Sequence, residues 1–228
     1  MTSDENKATP REGAIGSAAE PGPAVTSFLT TEHATLQGAR ASTIAESTGR
    51  ATMFLGVVSG GLIALGLVAT ATKVGAAFFA FALVLLPILA FVGLVTFERA
   101  LQTAIEDRGY AWRIERVRAS YLEHSPALRS YLIESADEQL EVKGVVGARW
   151  QEWRSVAGMV GVVSAALAGS AVGLLALLVS ARSLAVGLVA GALVFVAAAL
   201  GLMRVQRTAW YAASDVLVAF EEEVKANS

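Results

Sequence analysis

The sequence predicts an all-α, polytopic membrane protein. Its four transmembrane helices form two hairpins with long cytoplasmic helical extensions. Three observations lead there. The chain of 228 residues is 54% hydrophobic and only 17% charged, and its apolar residues are gathered into runs instead of being dispersed. Four runs, 51–72, 74–97, 155–181 and 183–203, contain no Asp, Glu, Lys, Arg or His, and each reaches the about 20 residues needed to cross about 30 Å of hydrocarbon. Finally, a single residue separates the members of each pair, Lys73 in the first and Arg182 in the second. Each pair must therefore turn back at once.

Taken in order, residues 1–24 are rich in Pro, Gly, Ala, Ser, Thr and charge and lack apolar periodicity, the composition of a disordered tail. Residues 25–120 form the first unit. Leu36, Ala39, Thr43 and Ile44 recur at helical spacing and Glu46 stands four residues before Arg50, so a cytoplasmic helix feeds the first span. That span is a retained anchor, since the first 50 residues hold no short apolar core of a cleavable signal. Pro87 is expected to kink the second span, which continues as a cytoplasmic helix until Ser125-Pro126 breaks it.

Residues 121–154 read as a cytoplasmic connector. A short helix from about 127 to 142 sets Leu128, Tyr131 and Leu132 against Glu134, Asp137, Glu138 and Glu141, and another helix after Gly144 leads into the third span. Residues 155–228 hold the second hairpin and a polar C-terminal helix. GVVSGGL at 56–62 returns as GVVSAAL at 161–167, and the same offset of 105 carries Arg99 onto Arg204. A parallel internal duplication would produce both matches.

Charge sets the orientation. Of the 18 basic residues only Lys73 and Arg182 lie at the hairpin tips. Lys7, Arg11, Arg40 and Arg50 precede the first span, nine basic residues lie between 99 and 154, and Arg204, Arg207 and Lys225 follow the last span. The positive-inside bias places both termini in the cytoplasm of a multi-pass inner-membrane protein, and Trp112, Trp150, Trp153 and Trp210 all fall on that side as interface anchors. Arg108, Arg113, Arg116 and Arg118 are interleaved with Glu106, Asp107 and Glu115. The pattern is a solvated, lipid-facing surface and no nucleic-acid footprint.

Little in the chain suggests reaction chemistry. Cysteine is absent, His33 and His124 are the only histidines, and no phosphate loop, metal-binding helix motif or nucleophile elbow occurs. Nor does any span carry an ionisable residue for coupled transport. No catalytic, cofactor-binding or metal-ligating residue is nominated, no cofactor is expected and no small-molecule substrate is identified. Gly56 with Gly60, Gly169 with Gly173 and Gly187 with Gly191 are small-xxx-small pairs suited to close helix packing in lipid. Glu32, His33, Gln37, Arg40, Glu46 and Arg50 form polar rows before the first span and are candidates for partner docking. The expectation is a non-enzymatic scaffold that contacts membrane lipid and either forms homo-oligomers or docks a membrane protein partner. The alternative is an oligomeric pore lined by Ser59, Thr70, Thr72, Ser164 and Ser170.

The stretch TEHATLQGARASTIAESTGRATMFLG, followed by LLPILAFVGLVTFERALQTAIED, resembles a family of small uncharacterised integral membrane proteins common in actinobacteria, most clearly over 29–120. The resemblance implies a membrane protein and brings no catalytic residues with it.

Overall fold

A computed structural model describes residues 23–124, 155–180 and 183–226. Most of the N-terminal tail, the connector from 125 to 154 with Trp150 and Trp153, and Arg182 lie outside the described residues. The described chain is all helix: α1 (Pro23–Thr72), α2 (Ala76–His124), α3 (Val156–Val179) and α4 (Leu184–Ala226). Pro23 opens α1, where its missing N–H costs nothing and its fixed φ suits the helix. The apolar run and the polar stretch before it form one continuous helix of 50 residues. α2 likewise passes through Pro87 without interruption and is described as far as His124; the break expected at Ser125-Pro126 lies outside the described residues.

The connections differ slightly from the sequence-based boundaries. Lys73 alone does not reverse the first pair; the turn takes Lys73, Val74 and Gly75, with φ of 50° at Lys73 and 55° at Val74. Left-handed geometry is uncommon for a β-branched residue. The reversal thus removes two residues from the start of the run at 74–97. The third run loses its ends to caps: Ser155 Oγ accepts the Gly158 N–H at 3.0 Å, and the Ser180 N–H donates to the Ala176 carbonyl at 2.9 Å.

The helices pack as a row in chain order, α1 on α2, α2 on α3 and α3 on α4, with lesser contact from α2 to α4 and from α1 to α3. Sequential neighbours are antiparallel. Along α1 and α2, a Cβ placed on Gly61 would meet Leu85 and Leu89, one placed on Gly93 would meet Phe54, and Arg40 bonds Asp107. The buried positions Leu36, Thr43, Ser47, Ala51, Phe54 and Val58 recur at intervals of seven, four or three, the spacing of an interhelical seam. In the core, Phe54, Val58, Ala82, Leu86, Leu89 and Phe97 meet Val160 and Leu167 of α3.

Outward, the surface is apolar. Met53 is 74% exposed, Leu188 74% and Val179 80%. In the most apolar window of each helix only 17%, 28%, 28% and 17% of positions, in chain order, are buried by the rest of the chain. All four helices are long and apolar enough to cross a membrane. An exposed apolar surface this extensive marks contact with lipid or protein instead of water, and the architecture is compatible with a multi-pass membrane protein.

Candidate functional site

Two seams bring the sequence-nominated residues together. The first lies where α3 and α4 face each other near their connection. A Cβ on Gly169 would stand 2.7 Å from the Gly191 carbonyl oxygen, and one on Gly173 would stand 2.9 Å from that of Gly187. Reciprocally, a Cβ on Gly187 would be 3.0 Å from the Gly173 oxygen and one on Gly191 2.9 Å from the Gly169 oxygen. The four glycines thus bring backbone against backbone. They also floor an apolar groove of about 710 Å³, whose walls include Leu62, Leu86, Leu177 and Phe195. Gly56 and Gly60 behave differently: nothing lies within 4 Å of a Cβ built on either one. Their face of α1 is open within the chain.

The second seam is polar and continues the α1–α2 contact beyond the apolar runs. Arg40 Nε donates to Asp107 Oδ1 at 2.8 Å and Arg40 Nη2 donates to Oδ2 at 3.4 Å, a two-pronged pairing with defined orientation. The side chains are 39% and 27% exposed, so solvent screens the pair and its contribution is about 1 kcal/mol or less. About two helical turns nearer the span, Glu46 accepts from Arg50 Nε at 2.9 Å and lies 3.9 Å from Arg99 of α2. At the far end the His33 ring bonds Gln37 at 2.9 Å and meets Tyr121 edge-on at 6.3 Å. Glu32 is half-buried and makes no ion pair with a described residue.

Interleaved with these ion pairs sit Thr43, Ser47 and Thr103, exposed by only 8%, 9% and 8%. Thr43 and Thr103 donate to the carbonyls of Ala39 and Arg99 on their own helices. With Asp107 and the first residues of α3 they enclose a notch of about 150 Å³. Beside it, Gln206 of α4 is 1% exposed and its Nε2 donates to Ser155 Oγ at 3.2 Å. The α3 cap is thus tied to α4.

No family model, curated protein or solved structure matches the chain. Geometry alone carries the reading. Trp210 lies under the Arg108 guanidinium, 3.9 Å from the ring centroid, a cation–π contact from α2 to α4. Trp112 has Arg116 5.6 Å above its ring. Of the small polar residues on the spans, Thr70, Thr72 and Ser164 donate to carbonyls of their own helices, and Ser59 and Ser170 lie exposed on α1 and α3. Among the described residues no group of three or more His, Asp or Glu side chains is placed to hold a metal ion.

Sequence reasoning missed Asp107, Ser155, Gln206 and Gly93. A Ser immediately before an apolar run is an N-cap signal, so Ser155 was discoverable. Asp107 was hidden among mixed charges, and Gly93 lacks a small partner at the next turn. Only the fold reveals that a Cβ on Gly93 would strike Ser164 Oγ and come within 2.7 Å of the Phe54 ring.

Proposed function

We propose that the chain is a non-enzymatic multi-pass protein of the bacterial inner membrane, a helical scaffold whose cytoplasmic helices self-associate or dock a membrane protein partner. The observation that carries this reading is the paired arm of α1 and α2. The two helices have 50 and 49 residues, about 75 Å each at about 1.5 Å per residue, against about 30 Å of hydrocarbon. More than half of each helix therefore extends past the bilayer, on the side where positive charge accumulates. Arg40–Asp107 and His33–Tyr121 join the arm internally, while Glu32, Gln37, Glu46 and Arg50 border its surface and supply polar groups for a partner.

The two antiparallel pairs run in the same sense, as a parallel internal duplication would require, and the open face at Gly56 and Gly60 leaves room for a second copy within lipid. The resemblance to the actinobacterial membrane family belongs to the same reading.

Oligomeric mass of the full chain in lipid nanodiscs and detergent tests it, alongside Glu32→Arg and Gln37→Arg, which reverse or add charge on the arm. A defined oligomer weakened by these substitutions is expected. A monomer at every concentration, with no cross-linked species in native membranes, would overturn the self-associating scaffold.

A further inference from the structure

The apolar groove of about 710 Å³ beside the α3–α4 glycines is lined from all four helices. The contacts of Gly93 with Ser164 and of Gly161 with Phe97 fix the register of α2 on α3 and set the two hairpin turns at about the same level. From Leu177 and Leu184 beside the second turn the groove runs inward to Leu62, Leu86, Ala166 and Phe195. Those four stand about 10 to 13 residues from the turn-side ends of their helices, or about 15–20 Å at about 1.5 Å per residue. Half of a hydrocarbon layer of about 30 Å is about 15 Å. The groove therefore runs the depth of one leaflet, the one on the side of the turns. No charged residue lines it, and Ser170 is its single polar side chain, so its chemistry suits hydrocarbon and not water or an ion.

Shape selects among apolar occupants. Spread over about 18 Å, a volume of about 710 Å³ leaves a mean cross-section of roughly 40 Å², against about 80 Å² or more for an α-helix 10–12 Å across. A neighbouring helix is too thick to enter, whereas an extended acyl chain can lie along the whole length. The protein does not fill the space itself: the glycine floor carries no side chains, and Leu62, Leu184 and Leu188 on the walls are 48%, 70% and 74% exposed. Left empty, those walls would forfeit their dispersion contacts. We infer that this groove holds one hydrocarbon chain of a phospholipid from the leaflet on the side of the turns, extended along the α3–α4 seam with its headgroup beside the turns. The inference goes beyond the scaffold reading and rests only on the multi-pass membrane part of it.

The full-length protein is extracted into detergent from vesicles of equimolar palmitoyl-oleoyl phosphatidylcholine and phosphatidylglycerol, and bound lipid is counted by native mass spectrometry. Wild type is expected to retain about one phospholipid per protein chain, with little preference between headgroups, because the groove touches only the acyl chain. Ala166→Phe and Ala192→Phe each put a ring into the groove from exposed lining positions on α3 and α4 and should lower retention about tenfold. Val189→Phe, exposed on α4 outside the groove, should leave retention unchanged. Circular dichroism checks that each variant folds. Wild type that retains no lipid, or folded Ala166→Phe and Ala192→Phe that retain as much as wild type, would overturn the proposal. So would filled grooves that change the oligomeric mass and not the lipid count, since a second copy would then be the occupant. Carbonate extraction of wild type separates the two readings: release from membranes overturns the membrane reading itself, whereas an extraction-resistant protein without retained lipid overturns the groove alone.

Discussion

Glycines that look equivalent in sequence should respond oppositely to the same methyl group. At Gly169 an added Cβ meets the Gly191 oxygen at 2.7 Å, the Phe195 Cβ at 2.9 Å and the Phe195 nitrogen at 3.2 Å. Two of those atoms are backbone and the third is fixed to it, so no rotamer change relieves the contact and α3 must move away from α4. In lipid the pair gains nothing from a hydrophobic effect between helices, so van der Waals contact is the main thing lost. Gly169→Ala should therefore destabilise by about 1–3 kcal/mol, the usual range for overpacking, partly offset by the better helix propensity of Ala, worth up to about 1 kcal/mol. Gly56→Ala and Gly60→Ala meet nothing within 4 Å and should leave the isolated chain unchanged or slightly more stable. The assay is reversible unfolding in mixed micelles by circular dichroism, at a concentration where the chain is monomeric. A silent Gly169→Ala, or a Gly60→Ala as damaging as Gly169→Ala, would refute the packing argument.

Three further outcomes follow from the same geometry. Gly93→Ala should cost about 1–3 kcal/mol, and adding Ser164→Ala should recover only part of it, because the Phe54 ring still stands 2.7 Å from the new Cβ; a double-mutant cycle in the same unfolding assay measures the coupling. Gln206→Ala should destabilise by about 1–2 kcal/mol through lost packing at a 1% exposed site and the lost bond to Ser155, and hydrogen exchange should rise first in the opening turn of α3. Because the chain contains no cysteine, Lys73→Cys gives one reactive site, and a membrane-impermeant thiol reagent should label it from outside intact cells; labelling only after permeabilisation would reverse the orientation.

The apolar runs were legible because they meet a simple physical threshold. A run without charge and long enough to cross hydrocarbon needs no tertiary information to be recognised, and all four became helices. Ser155, read from the sequence as the first residue of the third span, is instead the cap of α3. The seams were less legible, because a helix surface does not state which of its faces will be covered. Gly56-xxx-Gly60 and Gly169-xxx-Gly173 are the same motif, yet only the second pair meets a partner within the chain. Arg40, which the sequence offers as a partner-docking residue, bonds Asp107, 67 residues away. That pairing depends on the register of two long helices, which is fixed by Phe54 fitting against Gly93 well inside the span.

The different chemistry of the two seams gives α2 a central place. α3 begins at Val156, level with the end of the apolar runs. Beyond that level, among the described residues, Trp210 of α4 packs under Arg108 of α2. The next residue along α2 toward the span is Asp107, which is held by Arg40 of α1. Consecutive residues of one helix therefore grip α1 on one side and α4 on another, just beyond the notch at Ser47. Any shift of the α1–α2 register would change the Arg40–Asp107 and Arg108–Trp210 contacts together. The glycine seam of α3 and α4, built from backbone contact in the opposite half of the spans, has no side chains that could slide to follow. A displacement of the arm would thus be absorbed at the polar junction, where the contacts are ionic and partly solvated, before it reached the glycines.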